Sequence, residues 1–160
     1  MRIRPVRRDD ATALQWRCWP DMSQFDVETR LIDVISRGER GLAWGVVAVD
    51  ENDTPIAYGV LARWGRRSEI GDLVVNEDWR GHGIGSALIE HLLEQACALN
   101  LHEVEIGAAL SNPRALALYR RLGFVETRRI HLDLGSGPEP VVFLTMENVC
   151  ERAALGRSGD

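Results

Sequence analysis

Three glycines separated by single residues mark the stretch with the clearest chemistry. Gly81, Gly83 and Gly85 stand between Arg80 and Ser86, with a strand pattern before them and an amphipathic helix pattern after them. Glycines allow tight turns and close approach of the backbone to a ligand. The first N–H groups of a helix lack partners within it and, with the helix dipole, attract anions. This arrangement predicts a pyrophosphate site at the loop, with Arg80 as a charged donor beside it.

Hydrophobic periodicity predicts the elements that must position this loop. The predicted strands are Ile3–Val6, Leu42–Val49, Ile56–Arg63, Glu69–Val75, Glu103–Ala108, Phe124–Leu134 and Val141–Met146. The predicted helices run from Asp9 or Asp10 to about Trp19, over Asp26–Arg37 with Gly38 at the C′ position, from the glycine loop to about Leu99, and from Pro113 to Leu122.

The order of these elements, βααβββαβαββ, predicts an α/β fold. A single helix connects Glu69–Val75 to Glu103–Ala108, so we expect these strands to be parallel and joined by a right-handed crossover. We therefore predict a single-domain, mixed, mostly antiparallel sheet with one parallel pair, flanked by about four helices. Residues 1–149 are expected to form this domain, and residues 150–160 a flexible C-terminal tail.

The composition of the 160 residues excludes several functions. Lysine is absent and all 19 basic residues are arginines, which excludes Schiff-base lysines and phosphate loops ending in Gly-Lys-Ser/Thr. The four histidines show no metal-ligand spacing, so no metal is expected. A net charge of −5 argues against nucleic-acid binding, and no apolar run is long enough for a membrane helix.

The amino terminus and the cysteines favour a cytoplasmic protein. No apolar stretch follows the first charged residues, as a signal peptide would require. Cys18, Cys97 and Cys150 are odd in number, far apart and without a Cys-x-x-Cys motif. We therefore expect reduced thiols, and neither disulfides nor zinc ligands.

A second interpretation of the glycine loop is a dinucleotide-binding fingerprint, Gly-x-Gly-x-x-Gly close behind a strand. The loop has Ser86 at the third glycine position, and several residues separate it from Val75. Glu103 and Glu105 do follow at about the distance of a ribose-binding acid. A nucleotide-binding oxidoreductase therefore stays open as an alternative, although too little chain remains after the loop for a doubly wound sheet.

Two separate motifs give the sequence a resemblance to a known family. Arg80-x-x-Gly83-x-Gly85 resembles the acyl-CoA signature of the GNAT superfamily of N-acyltransferases. The stretch 112–124, Asn-x-x-Ala-x-x-Leu-Tyr-x-x-Leu-Gly-Phe, resembles the second motif of that family, and Ile3–Ala11 is similar to its opening strand and helix. The resemblance covers most of residues 3–146 and implies an acetyl-CoA substrate and transfer to an amine.

The resemblance also implies where the acyl donor binds. In the family, a bulge separates the central strand from its parallel neighbour, and the pantetheine arm bonds to strand backbone in the gap. A backbone N–H there would stabilise the oxyanion. Arg114 or Arg120 is a candidate contact for the nucleotide 3′-phosphate. The residues expected to bind acetyl-CoA are Leu73, Val75, Arg80, Gly81, His82, Gly83, Ile84, Gly85, Ser86, Asn112 (also a helix N-cap) and Tyr119.

The catalytic roles follow from the same resemblance. Attack of an amine on a thioester expels a thiolate, which the phenol of Tyr119 would protonate as general acid. The helix pattern by itself makes Tyr119 a buried aromatic residue. An amine that arrives protonated must also lose a proton. Asp72 and then Glu69 are the candidate bases on the central strand, with Glu105 and His131 as further ones.

The sequence therefore predicts an N-acetyltransferase that moves an acetyl group from acetyl-CoA to a primary amine by direct attack in a ternary complex. A domain that binds acyl-CoA without turnover is the alternative from another class. The acceptor, a small-molecule or peptide amine, stays open, and the net acidity favours a cationic one. Because the closing strands often form dimers in the family, the expectation extends to a homodimer.

Overall fold

The computed structural model describes residues 1–152. Within them, α-helices and β-strands follow one another in the predicted order, with 3₁₀ turns at Arg8–Asp10 and Glu77–Trp79. The helices are α1 (Ala11–Arg17), α2 (Gln24–Glu39), α3 (Ile84–Ala98) and α4 (Pro113–Leu122). The strands are β1 (Arg2–Pro5), β2 (Ala43–Val49), β3 (Pro55–Trp64), β4 (Arg67–Val75), β5 (Val104–Ala109), β6 (Val125–Asp133) and β7 (Pro138–Met146).

The strands form one seven-stranded sheet in the order β1-β2-β3-β4-β5-β7-β6. β4 and β5 pair in parallel, and the other neighbouring strands pair antiparallel, which confirms the predicted fold class. Helices α1 and α2 cover one face of the sheet, and α3 and α4 cover the other. No helix among residues 1–152 has the length and apolar character needed to cross a membrane.

The apolar stripe of α3 anchors this helix to the sheet. Leu88, Ile89 and Leu92 are fully buried. Burial of each of these side chains stabilises the fold by about 2 kcal/mol relative to leaving it exposed to water. The stripe follows the 3.6-residue period that the sequence shows. Because α3 is fixed in this way, its first turn and the glycine loop before it hold a defined position at the end of β4.

Strand β4 contains one residue more than β3 requires. Tyr58 pairs with Val74, whereas Val60, two residues further along β3, pairs with Gly71, three residues back along β4. The resulting β-bulge contains Asp72, whose φ of 52° lies in the left-handed region. A bulge in the central strand is what the family resemblance implied.

The bulge changes which side chains of β4 share a face. Ile70, Leu73 and Val75 all pack on the α3 side of the sheet, whereas Val74 packs on the α1–α2 side. Strict alternation would place Ile70 and Leu73 on opposite faces. Because of the extra residue at Asp72, apolar side chains of β4 face α3 both before and after the bulge.

The parallel pairing between β4 and β5 is short. It joins Glu69 to Glu105 and Ile70 to Ile106, and it ends just before the bulge. Beyond that point β4 stays paired with β3 up to Val75, and β5 stays paired with β7. The two parallel strands therefore separate, and backbone groups along the inner edge of β4 face a gap instead of a neighbouring strand.

Several element boundaries differ from the predictions. Helix α2 continues through Gly38, and Gly41 instead takes the left-handed conformation, with φ of 71°. Gly38 is therefore not the C′ residue that the sequence indicated. Helix α1 ends at Arg17, before Trp19. Strand β7 begins at Pro138, earlier than predicted, because its first residues pair with the end of β6.

The residues after β7 differ from the predicted tail over their first positions. Residues 149–152 form a helical turn in which Val149 is buried and donates its N–H to His102 O at 3.1 Å. Arg152 Nη1 donates to Gly123 O at 3.2 Å. These contacts attach residues 150–152 to the domain. Residues 153–160, the rest of the predicted tail, lie outside the described residues.

The same turn brings Cys150 to the end of α3. Cys97 and Cys150 form a disulfide, with Cα atoms 5.0 Å apart. The prediction of reduced thiols is wrong for these two residues, because the chain separation of 53 positions gives no sign of their proximity. Cys18 is a free, buried thiol, as predicted, and burial raises its pKa to about 11.

Candidate functional site: a glycine loop and a charged cleft

The glycine loop has the conformation that an anion site needs. Gly81 and Gly83 have φ of 80° and 77°, and Gly83 is the N-cap of α3. Ala87 N–H donates to Gly83 O at 3.0 Å, which is the first hydrogen bond of the helix. The N–H groups of residues 84–86 precede it and point out of the helix end. A Cβ on Gly83 would meet no atom within 4 Å, so open space lies beside the loop.

Helix α4 packs beside this loop, so the two sequence motifs meet in space. A Cβ on Gly85 would lie 3.5 Å from Leu118 Cδ2, and a Cβ on Gly81 would lie 3.9 Å from Arg114 Nη2. Arg114 therefore adds a guanidinium next to the helix amides, where it favours a phosphate. Arg120, the other candidate for a phosphate contact, instead pairs with a glutamate of β6.

Two side chains of the loop form hydrogen bonds to backbone carbonyls of the loop and of the residues that precede it. His82 Nδ1 lies 3.0 Å from Trp79 O and 3.1 Å from Arg80 O, so Nδ1 carries the proton and donates it to these carbonyls. Arg80 Nε donates to Val75 O at 3.3 Å. These bonds connect the loop to the end of β4 and hold it at a fixed distance from the gap between β4 and β5.

Two candidates of the second motif lie on α4. Asn112 Oδ1 accepts the N–H of Ala115 at 3.2 Å, which confirms that Asn112 is the N-cap. Tyr119 is only 7% exposed, and its ring centre lies 6.4 Å from that of Phe124. Burial raises the pKa of the Tyr119 phenol, so the hydroxyl keeps its proton at neutral pH.

A cleft of about 730 Å³ lies on the opposite face of the sheet from α3. Glu69 and Glu105 line the cleft, while their neighbours Ile70 and Ile106 are buried toward α3, as alternation along the strands requires. The charged residues of the lining are Arg66, Arg67, Glu69, Glu103, Glu105 and Arg128.

Glu69 connects the cleft to the gap between the parallel strands. Its Oε1 lies 3.9 Å from the place that a Cβ on Gly71 would occupy, so the side chain runs along β4 toward the bulge. Burial, and then the negative charge of Glu105, raise the pKa of Glu69, although Arg128 opposes them. Glu105 itself accepts a hydrogen bond from Arg128 Nη2 at 2.8 Å. Within residues 1–152, Glu69 is therefore the carboxylate of this pair that forms no salt bridge.

Asp72 lies in a different environment within the bulge. Its Oδ1 pairs with Arg30 Nη1 at 3.0 Å, and its side chain is 48% exposed. The Arg30 guanidinium also lies 5.3 Å from the centre of the Trp19 ring, at cation–π distance. This contact joins α2 to β4 and holds a non-glycine residue in a left-handed conformation that costs about 1 kcal/mol.

The predicted site residues therefore occupy two regions of the molecule. The glycine loop, Asn112 and Tyr119 are adjacent through the packing of α3 and α4, whereas Glu69 and Glu105 line the cleft. His131 lies on edge strand β6 and does not line the cleft. The cleft arginines Arg66, Arg67 and Arg128 were not among the predicted site residues. For Arg128, no spacing rule shows that β6 approaches β4 across β5 and β7.

A bulged mixed sheet with a glycine loop beside its central strand is the arrangement that the resemblance of the sequence to acyl-CoA-dependent acyltransferases implied. The model of the Acetyltransferase (GNAT) family matches residues 8–124, which is more than half of the chain. The protein belongs to this family.

The relatives of this chain are named for different acceptors. The chain is 33% identical over 98 residues to the peptidyl-lysine N-acetyltransferase YjaB of Escherichia coli, covering 61% of this chain and 60% of that protein. It is 26% identical over 113 residues to the [ribosomal protein bS18]-alanine N-acetyltransferase of the same species, covering 69% and 74%. The chain thus spans about 60% of the length of YjaB.

Solved structures share the fold at low sequence identity. A chimera of the spermidine N-acetyltransferase SpeG from Vibrio cholerae and hSSAT superposes with a TM-score of 0.80 at 19% identity, covering 96% of this chain and 99% of that one. The phosphinothricin acetyltransferase of Sinorhizobium meliloti in complex with AcCoA gives 0.74 at 20% identity, covering 92% and 88%.

The glycine loop generates the first prediction. Gly83→Glu is expected to abolish binding of coenzyme A, because a carboxylate would occupy the open space that faces the N–H groups of residues 84–86. Isothermal titration calorimetry with coenzyme A measures the loss. Retained affinity would show that the pyrophosphate binds elsewhere.

Gly41→Glu is the matched control for this variant. Gly41 also has a left-handed φ, of 71°, and also has no atom within 4 Å of a Cβ, but it follows α2 and is outside the loop. The two variants introduce the same charge and the same backbone strain of about 1 kcal/mol. If both variants lose coenzyme A affinity equally, destabilisation of the fold, and not the charge placed in the loop, causes the loss.

Proposed function

We propose that the protein is an acetyl-CoA-dependent N-acetyltransferase that acts by direct attack of a primary amine in a ternary complex. The observation that carries this proposal is the glycine loop, whose outward-pointing N–H groups lie next to Arg114 at the end of a strand that has separated from its parallel neighbour. Membership of the family supports acetyl-CoA as the donor. The relatives are named for peptidyl-lysine, ribosomal-protein alanine and spermidine, so the family does not determine the acceptor.

The donor would bind along two surfaces. Its pyrophosphate accepts hydrogen bonds from the amides of residues 81–86, with Arg80 and Arg114 neutralising its charge. Its pantetheine arm lies in the gap beside β4, where it bonds to the backbone of Leu73 and Val75 and to the side-chain amide of Asn112. This placement directs the thioester toward the bulge, since the loop and the gap are both attached to β4.

The reaction forms one bond and breaks one. The amine nitrogen attacks the thioester carbonyl carbon, and a backbone N–H of β4 in the gap stabilises the negative oxygen of the tetrahedral intermediate. The carbon–sulfur bond then breaks, and Tyr119 protonates the leaving thiolate. The raised pKa of Tyr119 keeps the donated proton in place until the thiolate forms.

Glu69 is the general base in this proposal, ahead of Asp72. Its carboxylate reaches from the cleft toward Gly71, where the parallel strands separate. The raised pKa of Glu69 makes it a better proton acceptor than an ordinary glutamate. Asp72 keeps a positioning role, because the Arg30 guanidinium occupies its Oδ1 and the pair holds the bulge.

Release of free thiol tests the proposed activity directly. Incubation of the protein with acetyl-CoA and a panel of primary amines is expected to release coenzyme A above the rate without amine, and mass spectrometry should detect the N-acetylated product. Binding of acetyl-CoA with no thiol release for any amine would favour a non-catalytic acyl-CoA-binding domain.

Tyr119→Phe is expected to lower kcat by roughly ten- to a hundredfold, because solvent must then protonate the thiolate. The dissociation constant for coenzyme A should stay within about twofold. Tyr58→Phe is the matched control, since it removes a buried phenol from the other face of the sheet. An unchanged kcat in Tyr119→Phe would remove the general-acid role.

Glu69→Gln tests the base. In the unmodified protein, kcat/KM should rise with pH through the raised pKa of Glu69, because only the ionised carboxylate accepts a proton. Glu69→Gln should lower kcat/KM about a hundredfold and remove this acidic limb, leaving the titration of the amine itself. Asp72→Asn should retain the limb. Loss of the limb in Asp72→Asn alone would assign the base to Asp72.

A further inference from the structure

The charges of the cleft divide into neutralised and available groups. Arg128 forms a salt bridge with Glu105 at 2.8 Å and its guanidinium lies 4.2 Å from the centre of the Phe143 ring, so both partners are held against the sheet. Among residues 1–152, neither Glu69 nor the pair Arg66 and Arg67 forms a salt bridge. The cleft therefore presents two carboxylates, Glu69 and Glu103, and two guanidiniums that form no salt bridge among the described residues.

These available charges have a defined order along β4. Arg67, Glu69 and Gly71 lie at alternate positions, so Arg67 and Glu69 share the cleft face, about 7 Å apart along the strand. Glu69 extends toward Gly71 and the gap, whereas Arg66 and Arg67 lie at the exposed entrance beside the β3–β4 turn. A ligand in the cleft thus meets Glu69 near the gap, whereas at the entrance the two arginines outnumber Glu103, whose carbonyl oxygen accepts a hydrogen bond from Ser68 Oγ.

We infer that the acceptor is a primary amine that carries an anionic group within a few bonds of the amine. An α-amino acid provides this chemistry, and so does a peptide with an acidic residue next to its amino terminus. The ammonium lies against Glu69, and the anionic group accepts hydrogen bonds from Arg66 and Arg67. The inference rests on the proposed function and specifies the substrate class of the same site.

The same charges disfavour a polycationic acceptor. The overall charge of −5 favours a cationic ligand at long range, but salt screens charges beyond about 8 Å. Within the cleft, a second ammonium group would approach the two entrance arginines, which outnumber the one carboxylate beside them, Glu103, and it would lose solvation there. The local order of charges, and not the net charge of the chain, therefore determines acceptor choice.

Two matched series of acceptors test the inference at saturating acetyl-CoA. The first contains L-phenylalanine, L-phenylalaninamide and phenethylamine, and the second contains the tripeptide amides Ala-Asp-Ala and Ala-Asn-Ala, with spermidine as the polycation. We expect the anionic member of at least one series to have about a tenfold higher kcat/KM than its neutral counterpart. The series that responds distinguishes a free amino acid from a peptide.

The double variant Arg66→Gln/Arg67→Gln should reduce this preference to within about twofold while the affinity for coenzyme A stays unchanged. Arg8→Gln/Arg121→Gln is the matched control, because it removes the same charge from exposed residues outside the cleft. A preference for the neutral amines or spermidine, or a preference that survives in the entrance variant, would overturn the inference while the proposed activity stands.

A failure of the proposed activity gives a different result. If no acceptor releases thiol, titration of L-phenylalanine and Ala-Asp-Ala amide into the coenzyme A-loaded protein still decides the inference. Binding that is weakened about tenfold by the entrance variant, and not by the control variant, supports the substrate class without turnover. Absence of binding, or binding equal in both variants, overturns it.

Discussion

One additional residue in β4 is the constraint on which the site depends. Without it, β4 and β5 would pair along their length, and the hydrogen bonds of a parallel ladder would close the gap. With it, pairing ends at Ile70 and Ile106, and the inner edge of β4 is free to bind a ligand. Asp72 takes the left-handed conformation at this point, and Arg30 of α2 holds its carboxylate. A contact between a helix and a strand thus maintains a local distortion that a regular sheet would remove.

Helix ends provide the second part of the site. Gly83 ends the loop and is the N-cap of α3, and α4, whose N-cap is Asn112, packs beside this loop. A Cβ on Gly85 would be in ordinary contact with Leu118 Cδ2, at 3.5 Å, so α4 packs directly against the first turn of α3. Partial positive charge from the helix amides and full charge from Arg114 then act on the same region. The glycine loop therefore contributes both to the anion site and to the contact with α4.

In the proposed mechanism, the sheet separates the donor from the acceptor. The loop and Tyr119 belong to the α3–α4 side, and the charged cleft lies on the other side, with Glu69 reaching the gap between them. We propose that this division allows the two substrates to approach from different directions and to meet at the bulge, as direct attack in a ternary complex requires.

Local sequence determined the elements and the donor motifs of this protein, because periodicity, capping and glycine spacing act over a few residues. The α3 stripe, the Asn112 cap and the Gly81–Gly85 loop could all be identified in this way. Contacts between distant segments were decided only by the tertiary structure. The ion pair of Arg30 with Asp72, the disulfide of Cys97 with Cys150 and the ion pair of Arg128 with Glu105 depend on how distant elements pack and, at Asp72, on a one-residue shift in register, which no short window of sequence encodes.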